Sequence, residues 1–380
     1  MEFIKPDTYI DFMRYRVPVI GTSLTLLALS LVSLFWPGPK LGLDFAGGTE
    51  LEVQFTAPVT TAEIREALEA AGHPGADVVS VQGRANAYML RVNETSTITE
   101  EVQAAIGSRL ESALGDVEIL QYKVSPGGDK ISLRLSGPAD LAVIRGAIEG
   151  EGSNGAEVRD VTQFGGSAEN RYEALLVGVG DAVFRDLQAA FGERAPESPL
   201  RIEWVGPKAG EQLRNAAIQS MLYAVAFIMV YVAFRFDVRF APGAVVSLFH
   251  DVTITAGVYV LFQKEMNLTT VAALLTVVGY SINDTIVIFD RIRENMGRYK
   301  DKSLHELVNI STSQVLARTL MTQGTTLISV VAFFIFGTPV IQDLAFALFV
   351  GVSVGTFSSI YIASPLTEWV DRRFFAAKAA

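Results

Sequence analysis

Six apolar runs limit what this chain can fold into: residues 17–36, 216–234, 240–262, 268–290, 315–336 and 341–364. A bilayer's hydrocarbon core is about 30 Å thick, and about 20 apolar residues in a helix cross it. Each run has that length, so the chain reads as an α-helical integral membrane protein with six transmembrane helices. Composition agrees. Half of the 380 residues are hydrophobic, only 19% are charged and mean hydropathy is +0.33, too little charge to cover a soluble surface of that size. A net charge of −10 argues against nucleic acid as a partner, which calls for a basic face. The chain has no cysteine and three histidines. Disulfides, thiolate metal centres and cysteine nucleophiles are therefore excluded, and too few imidazoles remain for a multi-histidine metal site.

Basic residues in the short flanks orient the spans. Lys5, Arg14 and Arg16 precede the first; Arg235 and Arg239 follow the second. Arg291, Arg293, Arg298, Lys300 and Lys302 follow the fourth, and Arg372, Arg373 and Lys378 follow the sixth. The opposite short loops hold only Lys264. Both termini (1–16 and 365–380) and the loop 291–314 are expected to be cytoplasmic, and the large segment 37–215 extracytoplasmic. The first span is too long for a signal-peptide core and leads into Pro37-Gly38-Pro39-Lys40, which has no small-residue cleavage pattern, so it reads as a retained anchor.

The outward segment carries 27 acidic and 16 basic residues. Its periodicity repeats one order twice. Strand 49–55, helix 61–71, strands 77–82 and 88–92, helix 99–114 and strand 117–122 are followed by strand 130–135, helix 139–148, strands 157–163 and 172–177, helix 181–191 and strand 200–205. This predicts an α+β domain of two ferredoxin-like βαββαβ modules, 37–124 and 125–215, in tandem. Neither shows a phosphate-cradling loop or a nucleophile with a base, so the plain expectation is a docking or substrate-contact domain.

Ionisable side chains inside spans cost about 2.5–3.5 kcal/mol each on insertion scales, so each needs a reason. His250 and Asp251 lie in span three, Asn283 and Asp284 in span four, and Arg318 near one end of span five. Spans four and five run antiparallel, which puts Asp284 and Arg318 at similar depths. Polar stripes recur at helical spacing: Gly243, Ser247, Asp251 and Thr255; Thr276, Gly279, Tyr280, Asn283 and Asp284; Arg318, Thr322, Thr325 and Ser329. Three such stripes can line a hydrated seam. A carboxylate's proton affinity depends on its burial and on a guanidinium beside it, so the pair suits a proton relay. It suits a static helix-orienting pair equally well, and His250–Asp251 is open to the same two readings. Span six carries Ala347, Gly351, Gly355, Ser359 and Ala363, a small-residue ladder for close packing on another helix, with a partner's helix among the candidates.

Several stretches are specific. Gly42-Leu43-Asp44-Phe45-Ala46-Gly47-Gly48 follows the first span, and Val205-Gly206-Pro207-Lys208-Ala209-Gly210 precedes the second. The fourth ends in Gly279-Tyr280-Ser281-Ile282-Asn283-Asp284-Thr285-Ile286-Val287-Ile288-Phe289-Asp290-Arg291-Ile292-Arg293-Glu294-Asn295. With His250-Asp251, these closely resemble the SecF side of the SecD/SecF family, subunits of the bacterial Sec translocon within an RND-like superfamily. The resemblance covers the first span with its exit, and the chain from about 205 onward. It implies an RND-like half in the bacterial inner membrane, paired with SecD and assisting SecYEG and YajC in moving an unfolded polypeptide. It implies no enzymatic reaction and no cofactor, the proton gradient being the energy source. It also implies proton coupling through Asp284 in the Asn283-Asp284-Thr285 motif and through Arg318, joined by an aspartate of SecD; Asp251 carries over on a shorter match. Family members usually show one soluble module, and this chain shows two. A non-energised scaffold of the translocon and an RND-type small-molecule transporter are the competing readings.

Overall fold

A computed structural model of the chain describes residues 9–81, 83–96, 98–150, 155–165 and 169–375. Lys5, Lys378 and the last residue of the strand expected over 77–82 lie outside the described residues. The chain forms two compact units, Leu43–Arg214 and Met1–Gly42 with Asn215–Ala380.

Helix α1 (Arg16–Phe35) leads to the short strand β1 (Lys40–Leu41). The soluble unit then runs α2 (Leu43–Ala46), β2 (Gly48–Phe55), α3 (Thr61–Ala70), β3 (Asp77–Ser80), β4 (Ala87–Val92), α4 (Glu100–Leu114), β5 (Ile119–Val124), β6 (Lys130–Leu135), α5 (Leu141–Glu149), β7 (Val158–Phe164), β8 (Arg171–Leu176), α6 (Val179–Phe191) and β9 (Pro196–Val205). Polar caps start its helices: Thr60 and Glu63 form a reciprocal capping box on α3, and Thr99 caps α4, satisfying N–H groups that lack partners in the first turn.

The elements follow the predicted order, but the pairing does not follow the tandem division at 124/125. The sheets are ordered β3-β4-β2-β9 and β5-β6-β8-β7. Each is a four-stranded sheet in split-βαβ order, but the closing helix and strand of the first are α6 and β9, not α4 and β5. The cores agree. Leu51, Val53 and Leu90 pack with Ile64 and Leu68 of α3 and with Val183 and Leu187 of α6. Ile106 and Leu110 of α4 join Ile131, Leu133, Ile144 and Ile148 in the second core. The second module, from α4 to β8, is thus inserted between β4 and α6 of the first. Strand β9 pairs with β2 from Gly48↔Val205 to Phe55↔Pro196, so the unit's first and last strands are neighbours. At Gly127, in the β5–β6 turn, a Cβ would lie 2.4 Å from the Trp204 ring, so the modules touch there.

Gly47 and Gly48 are required by this pairing. Their φ values are +76° and +120°, and a Cβ would lie 3.0 Å from the Val205 carbonyl oxygen at Gly47 and 2.5 Å from that of Val92 at Gly48. Only glycine combines this backbone with so close an approach.

Six helices among the described residues are long and apolar enough to cross a membrane. They comprise α1; α7 (Pro207–Arg235); α8 (Ala241–Leu261); α9 (Leu268–Arg298), which follows strand β10 (Glu265–Met266); α10 (Leu304–Phe336); and α11 (Pro339–Ser358), continued by a π-helical turn (Ser359–Ala363) into α12 (Ser364–Phe374). Several run past the apolar limits. Pro207 opens α7 nine residues before the expected span, its missing N–H being no loss in the first turn. The segment 291–314, expected as a loop, is helical except for 299–303. Ser303 and Glu306 cap α10, and the Asn295 amide ties α9 to α10 by donating to Ser311 Oγ and Gln314 Oε1 at 2.8 and 2.9 Å.

Small residues set the helix packing. A Cβ on Gly257 of α8 would lie 2.2 Å from Ser30 of α1, and one on Gly351 of α11 would lie 2.1 Å from Val277 of α9. The glycines of the span-six ladder, Gly351 and Gly355, therefore pack on α9 of the same chain, while Ala363 at its end meets Gly243 of α8.

Candidate functional site

Asp284 sits on the buried side of α9, 2% exposed. Its Oδ2 accepts a 2.6 Å hydrogen bond from the Gln323 side-chain amide of α10. The other amide atom, Gln323 Oε1, is buried without a protein partner, as is Thr319 Oγ1 one turn away. An amide can donate to a carboxylate through its NH2 and accept from a carboxylic acid through its oxygen. Gln323 therefore suits either protonation state of Asp284.

The expected Asp284–Arg318 ion pair is absent among the described residues. Arg318 is exposed on α10; it is an electrostatic neighbour of Asp284 and forms no side-chain hydrogen bond or ion pair there. Helical geometry gives the reason. Positions 319 and 323 are one turn apart and face α9, and their Thr and Gln are buried. The predicted stripe of Arg318, Thr322, Thr325 and Ser329 lies on the exposed side instead. On α9, Thr276, Gly279, Tyr280 and Asn283 are exposed as well. Two of the three predicted stripes thus leave the bundle, and Asn283 and Asp284 point to different sides.

Asp251 belongs to a separate network. It is fully buried; its Oδ1 is 2.8 Å from His250 Nδ1, and its Oδ2 accepts from Ser281 Oγ at 2.5 Å and Ser358 Oγ at 2.6 Å. His250 Nε2 meets Ser23 Oγ of α1. One carboxylate thereby links α1, α8, α9 and α11. Ser281, its partner on α9, stands three residues before Asp284, so the network meets α9 about one turn from that second carboxylate. Gly355 lets α11 approach: a Cβ there would lie 3.2 Å from the Ser281 Cα.

Sequence reasoning missed Gln323, Ser281, Ser358 and Ser23. For Gln323 a signal existed, since a glutamine inside a span is itself costly and stands at i+4 from Thr319. The serines carry no such signal, because hydroxyls in spans commonly bond their own helix backbone, as Thr325 does to the Met321 carbonyl. No group of three or more His, Asp or Glu side chains suited to a metal occurs among the described residues.

Comparisons with known proteins bear on this arrangement. Residues 188–373 match the family described as protein export membrane protein SecD/SecF, C-terminal, and residues 32–59 match the SecD/SecF GG motif, which contains Gly47 and Gly48. A protein translocase subunit SecF of Magnetococcus marinus is 36% identical over all of this chain and 99% of its own length. One from Pseudomonas aeruginosa is 44% identical over 64% of this chain and 79% of its own. The crystal structure of SecDF from Thermus thermophilus aligns with 97% of this chain at 29% identity and a TM-score of 0.67, this chain spanning 39% of that one. The chain belongs to the SecD/SecF family of protein-export membrane proteins, on its SecF side.

Proposed function

We propose that this translocase subunit pairs with a SecD-type partner in the bacterial inner membrane and uses the proton-motive force to draw an unfolded polypeptide outward through SecYEG, with YajC as a further associate. In this reading Asp284 takes up and releases the proton, Gln323 follows its protonation state, and Arg318 and Asn283 act from the exposed side. No cofactor enters; the gradient is the energy source. Both termini face the cytoplasm by the basic flanks, and the soluble unit faces outward.

The observation that carries this reading is the polar face left open on α9 and α10. Arg318, Asn283, Tyr280, Thr322, Thr325 and Ser329 are exposed at positions within spans. Polar groups at such depth face protein or water, not lipid. A partner bundle beside α9 and α10, bringing its own aspartate, covers that face and completes a proton path.

Asp284→Asn tests it. The chain is purified with its SecD-type partner and reconstituted with the translocon, and late-stage release of an exported substrate is followed with and without a proton gradient. Asp284→Asn is expected to assemble yet lose the acceleration by the gradient. An intact variant complex that responds like wild type refutes the assignment. The scaffold reading finds its support at Asp251, whose four-helix network has the form of a packing device.

A further inference from the structure

A groove of about 480 Å³ lies on the membrane unit, where α1, α8 and α12 meet at the end bearing the basic flanks. Its apolar wall includes Val17, Ile20, Leu24, Val246, Leu366 and Trp369. Ile20 and Leu24 succeed Val17 at i+3 and i+7, so the wall runs about 10 Å along α1. Val246 and Trp369 are both largely exposed.

The head of this groove is cationic. Glu368 is buried, its side chain 3% exposed; Arg16 approaches its Oε2 at 2.7 Å and Arg372 its Oε1 at 2.6 Å, those two side chains being 33% and 64% exposed. His305 Nδ1 stands 3.3 Å from both oxygens. One carboxylate thus faces two permanent positive charges. Each guanidinium has five N–H donors, and the Glu368 contacts occupy only part of them. A surplus positive charge at the head of an apolar channel complements one chemical class, a molecule with an anionic phosphodiester and a hydrocarbon chain.

We propose that this groove binds an anionic glycerophospholipid, with its phosphate at Arg16 and Arg372 and an acyl chain along Val17, Ile20 and Leu24. A zwitterionic lipid brings its own cation to the same place and does not neutralise the surplus. Trp369 belongs at the boundary between the two environments, where amphipathic rings concentrate.

The test is native mass spectrometry of the chain purified with its partner subunit, exposed to equal amounts of phosphatidylglycerol and phosphatidylcholine with matched acyl chains. Wild type is expected to retain phosphatidylglycerol about fivefold over phosphatidylcholine or better. Arg372→Gln leaves Arg16 on Glu368 and is expected to lower that ratio about fivefold, the worth of one basic residue at an anionic surface. Val246→Trp fills the groove with both arginines in place and is expected to cut phosphatidylglycerol retention, so the proposal stays testable if Arg372→Gln fails to assemble. A wild-type ratio near one, or a ratio indifferent to both substitutions, overturns the proposal. Displacement of the lipid by millimolar inorganic phosphate reveals a free-anion site instead and also overturns it. A preference seen in the isolated chain but lost in the complex assigns the groove to the partner subunit.

Discussion

Replacing Asp251 separates the packing role of one intramembrane carboxylate from the proposed proton role of the other. Asp251→Ala removes the acceptor for His250 Nδ1, Ser281 Oγ and Ser358 Oγ at once and leaves three buried donors on three helices. In water, a hydrogen bond to a charged group is worth about 1.5–3 kcal/mol. Within membranes, measured interhelical bonds average about 0.6 kcal/mol, because the unfolded helices also find partners. Three bonds at the lower figure give about 2 kcal/mol, and three at about 1.5 kcal/mol give about 4.5 kcal/mol. The expected loss for Asp251→Ala is therefore about 2–5 kcal/mol. Asp251→Asn should cost roughly half of that, since its carbonyl still accepts and serine hydroxyls can turn to accept from its amide. Asp284→Asn should cost about 1 kcal/mol or less, because it keeps an acceptor for the one bond from Gln323. Reversible unfolding in mixed micelles, titrated with a denaturing detergent, reads all three. The reasoning fails if Asp251→Ala lies within about 0.5 kcal/mol of wild type, or if Asp284→Asn is as damaging as Asp251→Ala.

Two further substitutions probe the site and the fold. Gln323→Leu removes the amide that bonds Asp284 and is expected to leave assembly intact while reducing gradient-driven release toward the level of Asp284→Asn; full gradient dependence in the variant shows that this bond is not used. Gly48→Ala forces a Cβ to 2.5 Å from the Val92 carbonyl at φ +120° and is expected to destabilise the first soluble module by about 2 kcal/mol or more, read as faster limited proteolysis of that unit in the full-length chain. Unchanged proteolysis refutes the close β2–β4 approach.

The elements of the soluble unit were legible because strands and helices announce themselves by period. Their assignment to sheets was not. After β4 the chain offers α4 and β5, and after β8 it offers α6 and β9, two helix–strand pairs of the same pattern, and either could close the first sheet. Local signals do not discriminate between them, since the pairing of β2 with β9 spans more than 140 residues of chain. Gly47 and Gly48 held a clue of a different kind. Two consecutive glycines at the start of a strand imply close backbones on that strand, and the observed neighbours are Val205 of β9 and Val92 of β4. Sequence alone does not separate that use from a tight turn, which two glycines serve as readily. Similarly, the expected loop 291–314 rested on where apolar residues stop, whereas a helix continues past the bilayer wherever caps and inter-helix bonds support it.

Within the membrane unit the costly residues were legible and their facing was not. A helix as long as α10 has room for two polar stripes, and the charge of Arg318 drew attention to the exposed one while Thr319 and Gln323 form the buried one. The distinction bears on how coupling can work. The Asp251 network fastens α9 to α1, α8 and α11 through Ser281, Ser358 and Ser23, and none of its bonds reaches α10. Asp284, one turn further along α9, takes its bond from α10. A shift of α10 can therefore alter the surroundings of Asp284 while the four-helix network holds. Arg318 rides on that same helix and moves with Gln323. In the proposed mechanism α10 is then the bistable element, biased from one side by the proton on Asp284 and from the other by whatever covers Arg318. Such coupling requires two arrangements of one element that both influences discriminate.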